Sequence, residues 1–142
     1  VLLDYEGPVE CEANLFKWMA DQYPSSMLNE TDGARCTPLH RACHSLTEYV
    51  GDDSSEICKY LIAKCPESLR IPDDGRWLPI HMLQYHCRHR VVKEVVVLLL
   101  RAYPESYDMT VQTDDNPMPA PNSIPFIQRI KPLLDEEREL KE

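Results

Sequence analysis

The 142-residue sequence predicts an all-α fold, a short helical-repeat solenoid of stacked antiparallel helix pairs with finger loops between them. Three observations predict it. Residues 59–83, KYLIAKCPESLRIPDDGRWLPIHML, read as a helix end, a Pro stop, an extended loop with an Asp-Asp-Gly turn and a Pro-initiated helix start. The same order recurs at 18–42, WMADQYPSSMLNETDGARCTPLHRA, and at 99–130, LLRAYPESYDMTVQTDDNPMPAPNSIPFIQRI. The residues leading into these stretches also align, so that each copy reaches a proline at the same offset: Pro24, Pro66 and Pro104. Self-similarity at a near-constant period is the sequence signature of an array of stacked units.

Taken in order, residues 1–10 assign no element, and Gly7-Pro8 is a break. Leu15, Phe16, Met19 and Tyr23 recur at helical spacing, which predicts a helix over 11–23 that Pro24 stops. Asp32-Gly33 marks a turn. Thr37 is a good N-cap and Pro38 suits the first helical position, so a helix begins there with Leu39, Ala42 and Cys43 on one face and ends near Leu46. An acidic loop follows over 47–53. Ser54 or Ser55 caps the next helix, whose stripe is Ile57, Cys58, Leu61, Ile62 and Cys65, and Pro66 ends it. After Asp73-Asp74-Gly75, Pro79 opens a helix carrying Ile80 and Leu83, with Arg88-His89-Arg90 as the turn out of it. Residues 91–103 hold five valines and taken alone favour a strand. Their alignment with 15–19 and 57–61 predicts a helix instead, because tertiary context overrides propensity. Residues 110–122 are a Pro-rich insertion. Ile124-Pro125-Phe126 restarts the pattern, Pro132 interrupts it, and 133–142 form a charged helix or tail.

A net charge of −9 argues against a general nucleic-acid or anionic-membrane binder, since both need basic surface. No apolar run approaches the ~20 residues that span a bilayer. The six cysteines form no CxxC pair, and most replace a small apolar residue in a helical stripe. Reduced, buried thiols in an intracellular reducing compartment are expected. The chain opens on Val1, which is read as a fragment or processed form.

Thr37-Pro38-Leu39-His40-Arg41-Ala42-Cys43 closely resembles the Thr-Pro-Leu-His-x-Ala signature of ankyrin repeats. Leu78-Pro79-Ile80-His81 resembles it less closely, and Ile124-Pro125-Phe126-Ile127 keeps only the proline and the apolar residue after it. The Tyr-Pro-Glu ending of the second helix looks like a divergent, algal-type ankyrin variety with Tyr-Pro-Glu-Ser loop starts. The units are longer than the ~33 residues of the standard repeat, and Pro-Glu-Ser or Pro-Ser-Ser stands where Gly-Ala-Asp is usual. The resemblance implies that Thr37 caps its helix and that His40 and His81 bond backbone groups of the neighbouring loop. It covers roughly 11–131, with units at about 11–36 (partial), 37–77, 78–123 and 124–131 (partial).

Histidine and cysteine cluster at Cys36, His40, Cys43 and His44, and again at His81, His86, Cys87 and His89. Zinc wants four nitrogen or sulfur ligands in a tetrahedron. His40 and Cys43 lie one turn apart, but His40 and His81 already have a structural role by resemblance, so no metal site is assigned. Cys87 follows His86, yet adjacent helical residues point about 100° apart and make no dyad. With no Gly-rich phosphate loop either, no catalytic residue and no cofactor is expected.

Partner binding is the remaining reading. By the resemblance, loop tips and the inner face of the first helices form the concave binding surface. Carried over by position, this gives Arg76, Trp77, Tyr85 and His86 in the middle unit and His44 and Ser45 in the preceding one. Trp and Arg are enriched at binding hot spots. Arg88, Arg90 and Lys93 add a basic group that suits an acidic partner or a phosphate, or that meets a helix C-terminus. The expectation is a non-enzymatic protein–protein interaction module within a larger complex. The alternatives are a zinc-stabilised adaptor and the regulatory domain of an enzyme whose catalytic part lies elsewhere.

Overall fold

The computed structural model describes residues 17, 18, 20–22, 31, 33, 35–48, 52–112 and 117–141. It is 72% helical, with five helices and no strand among the described residues; the one β-type pairing is an isolated bridge between Val111 and Met118. The helices are α1 (Pro38–Glu48), α2 (Asp52–Lys64), α3 (Pro79–Leu83), α4 (Arg90–Ala102) and α5 (Pro125–Lys141). None of them is long and apolar enough to cross a membrane. The helix expected over 11–23 lies outside the described residues except for Lys17, Trp18, Ala20, Asp21 and Gln22, of which Lys17, Trp18 and Ala20 are helical.

The valine-rich segment is helical, as the alignment of copies requires. In α4 the buried residues are Val91, Val92, Val95, Val96, Leu99 and Leu100, two adjacent rows of one helical face. A strand would bury alternate residues and leave half of this set in water. Burial of that stripe therefore outweighs the β preference of valine. Arg90 is already the first residue of α4, not part of the turn before it. A cation at a helix N-terminus is unfavourable, and Glu94 one turn on offsets it with an ion pair of 2.9 Å. Helix α2 starts at Asp52, so Ser54 and Ser55, expected as caps, lie inside it and are buried.

The loops that follow the second helices are not extended at their start. Each coils into a 3₁₀ turn, Pro66–Arg70 and Pro104–Asp108. Pro-Glu-Ser explains why. The Ser68 hydroxyl and amide both donate to the Cys65 carbonyl, at 2.8 and 3.0 Å, and Ser106 does the same to Tyr103, at 2.8 and 3.2 Å. Both serines are buried, so the bonds work without competition from water.

Helix α1 packs on α2 and on α3; α2 packs on α4, and α3 on α4. One continuous core runs through them, including Leu39, Leu46, Leu61, Leu83, Val95 and Leu99. A ladder of alternating charge crosses the outer row: Lys17 to Glu56 (3.4 Å), Glu56 to Lys59 (3.5 Å), Lys59 to Glu94 (3.1 Å). Lys59 donates to Glu94 and holds that carboxyl below its ordinary range.

Helix α5 departs from the expected pattern. It runs unbroken through Pro132, whose ring nitrogen cannot bond the Gln128 carbonyl. Near its start Phe126 lies under the Lys93 ammonium, and further along Glu137 pairs with Arg101. Both pairs advance in the same direction, so α5 lies parallel to α4. Pro119 lies against the 3₁₀ turn that follows α3: the buried Gln84 donates through Nε2 to the Pro119 carbonyl at 2.9 Å.

Candidate functional site

The two histidines fix the finger loops to the helices. At α1, Thr37 Oγ1 accepts from the His40 amide (3.3 Å), and His40 Nδ1 accepts from the Thr37 amide (3.1 Å). This is a capping box with histidine in the place usually taken by Glu or Gln. Nδ1 is thus an acceptor, so the ring proton is on Nε2, which donates to the Trp77 carbonyl of the next finger at 2.9 Å. At α3 the Leu78 amide donates to His81 Nδ1 (3.0 Å) and His81 Nε2 donates to the Met109 carbonyl (2.9 Å). The bonds implied for Thr37, His40 and His81 are present. They leave neither ring a lone pair for a metal, and no group of three or more His, Cys, Asp or Glu among the described residues is placed to hold one. Burial pushes the Cys87 thiol up to about 11, far from a reactive thiolate. Contact with Cys58 and burial raise the Cys43 thiol as well.

The middle finger is built on Asp73. Its carbonyl accepts from the Arg76 amide (2.9 Å), its Oδ1 accepts from the Trp77 amide (2.9 Å), and its own amide donates to the Trp77 carbonyl (3.0 Å). This closes the turn and puts Arg76 at φ 65°, the left-handed region. Arg35, at the matching position of the preceding finger, has φ 57°. No other described non-glycine residue has a positive φ. The Trp77 ring is half-buried against its own turn: a Cβ on Gly75 would lie 3.5 Å from its Cδ1.

An open groove crosses the fingers. Arg35, Arg70 and Arg76 line it, with Asp73, Asp74 and Met109, Thr110 and Gln112 of the third loop. Arg35 pairs with Asp74 across adjacent fingers at 3.5 Å. The Arg70 guanidinium stacks on the Tyr103 ring, 4.0 Å from its centroid. Arg76 makes no ion pair among the described residues and is exposed. Sequence reasoning missed Arg70, because its partner Tyr103 comes from the next unit and no local pattern links them.

The nine residues expected to bind a partner do not converge on one place. Arg76 lies in the finger groove, with Trp77 at the base of the same turn. His44 and Ser45 on α1 match Tyr85 and His86 beyond α3 in position; His44 pairs with Glu48 at 3.0 Å, and Tyr85 is exposed. Tyr85 and Arg88 line a second open cleft, opposite Ile124, Phe126 and Arg129 of the third unit. Lys93 reaches the rim of that cleft over the Phe126 ring, and Arg90 is committed to Glu94. No model of a protein family matches this chain, and neither a curated protein nor a solved structure matches it.

Proposed function

We propose that this chain is a non-enzymatic protein–protein interaction module, a short ankyrin-like stack that binds a partner protein across its finger loops as part of a larger assembly. The observation that supports this most directly is the pair Arg35 and Arg76. Successive fingers place the same cationic side chain on a left-handed backbone at the lip of one groove. Glycine fits that backbone without strain, and an arginine there costs on the order of 1 kcal/mol. Strain repeated at matching positions is a mark of a functional loop. The histidine bonds from each helix pair to the following finger supply the rigidity that such recognition needs, since a pre-ordered surface has little entropy to lose on binding.

Affinity capture from an extract of the source organism tests the reading. The double variant Arg35→Ala/Arg76→Ala should lose the principal partner that the parent chain retains, with helix content unchanged by circular dichroism. Retention of every partner by the double variant would remove the finger groove as the binding surface.

A further inference from the structure

We infer that the cleft between the 3₁₀ turn Gln84–His86 and the start of α5 is a second binding site, distinct from the finger groove, and that it takes an acidic peptide segment of a partner protein. Three features of the cleft point to this ligand.

The first is charge. Arg88 stands on one side and Arg129 on the other, both exposed and without an ion pair among the described residues. The Lys93 ammonium sits at the rim, 5.3 Å from the Phe126 ring centroid. Elsewhere Arg35, Arg90, Arg101 and Arg138 pair with Asp74, Glu94, Glu137 and Asp135, and Arg76 stands unpaired by itself in the finger groove. In a chain of net charge −9, this cleft gathers cations that no carboxylate answers. The second is apolar surface. Tyr85 is 55% exposed, and the half-buried Phe126 and the buried Ile124 line the cleft with it. The third is Gln84, fully buried, which also lines the cleft. Its Nε2 is fixed on the Pro119 carbonyl, which determines the amide orientation, and its Oε1 has no hydrogen-bond donor among the described residues.

An unanswered buried acceptor is costly, and a ligand that brings a donor recovers that cost. Water does not reach Oε1 in the free chain, so the cleft must widen slightly to admit the donor. A free carboxylate or halide ion would answer the arginines and leave Gln84 unanswered, having no donor of its own. A peptide brings carboxylates, backbone N–H donors and an apolar side chain within a few ångströms of one another, and so answers all three features.

The test is fluorescence anisotropy with a short fluorescein-labelled peptide of glutamates around one leucine, at low ionic strength, on the full chain. The parent should bind it. Arg88→Glu/Arg129→Glu should weaken binding about tenfold or more, whereas Arg35→Ala/Arg76→Ala should leave it unchanged. Circular dichroism checks that both double variants keep their helix content. The Gln84 side-chain amide resonances should shift along the same saturation curve. The proposal is overturned if the parent does not bind the peptide, if the charge reversal has no effect, or if the Gln84 resonances stay put. It is equally overturned if inorganic phosphate or a single-stranded oligonucleotide binds there in preference, or if Arg129→Glu abolishes self-association of the chain, which would make a second copy the occupant. Failure of the finger-groove reading changes none of these outcomes, because that groove shares none of the substituted residues.

Discussion

His81 ties the backbone of one unit to the loop of the next, and its surroundings make that tie pH-dependent. Burial lowers its pKa below 6.5, against smaller upward effects of the Met109 carbonyl and of Asp73. The folded chain therefore resists a proton that the unfolded chain accepts. Its contribution is intact above about pH 6.5 and is lost as the pH falls below that value towards the folded pKa. The urea midpoint should drop between pH 7.5 and 5.5, and His81→Gln should flatten that drop, because the amide does not titrate. Carboxylates such as Glu94, held low by Lys59, lose their contribution only at more acidic pH. Arg76 yields a prediction of opposite sign. Arg76→Gly should raise stability by roughly 0.5–1 kcal/mol by relieving the left-handed backbone, while binding of the captured partner weakens. A variant that is less stable would show that the arginine side chain holds the finger together. At this scale the sequence was most legible where a motif carries its own mechanism. Thr37 and His40 sit three apart around a helix start, and that spacing alone allows the reciprocal cap. Arg70 was illegible, since nothing near it signals that Tyr103 will lie beneath its guanidinium.

Among the elements, α4 shows what a repeat adds to local propensity. Its valines favour a strand, but Val91, Val92, Val95, Val96, Leu99 and Leu100 make a helical stripe that only the comparison with residues 57–61 reveals as meant for a neighbour. The Pro-Glu-Ser turns were legible as stops and illegible as 3₁₀ turns. A proline announces that a helix ends, whereas the coil after it depends on two bonds from one serine to the carbonyl before the proline. Those bonds are testable. Ser68→Ala and Ser106→Ala should each cost about 0.5–1.5 kcal/mol, because a buried carbonyl loses one of its two donors and keeps the serine amide, and the two losses should add, since the turns share no partner. Two losses near zero in urea titrations would mean that proline alone sets the turn. Ser54 and Ser55 are the converse case. Serine near a helix start is a capping signal, but Asp52 begins α2 first and both serines are buried within it.

At the scale of the whole molecule, α1 packs on α2 and α3 packs on α4, each first helix carrying a histidine bonded to a following loop, and α5 lacks that histidine. Ile124-Pro125-Phe126 looks like a third start, yet Ile127 stands where His40 and His81 stand and is fully buried. It has no ring to bond a further loop. Without that tie, and with Pro119 already bonded to Gln84 just past α3, the last helix settles beside α4. This was hidden in the sequence because direction along a neighbour is set by pairs such as Lys93 with Phe126 and Arg101 with Glu137, which are remote in the chain. Two kinds of contact hold α5 there, and their magnitudes differ. Arg101 grips Glu137 with two bonds, Nε to Oε2 at 3.0 Å and Nη2 to Oε1 at 2.9 Å, but both side chains are nearly half exposed, and such pairs contribute about 0.5 kcal/mol. Leu134 is buried and shares a small hollow with Leu100, Pro104 and Tyr107. Its truncation removes apolar contact and leaves a cavity at the edge of the core, worth about 2 kcal/mol. Leu134→Ala should therefore lower the melting temperature by about 5 °C or more, and Glu137→Gln should shift it by only about 1–2 °C. If the order is reversed, α5 is clamped by charge, and added salt should then loosen it as strongly as the substitution does.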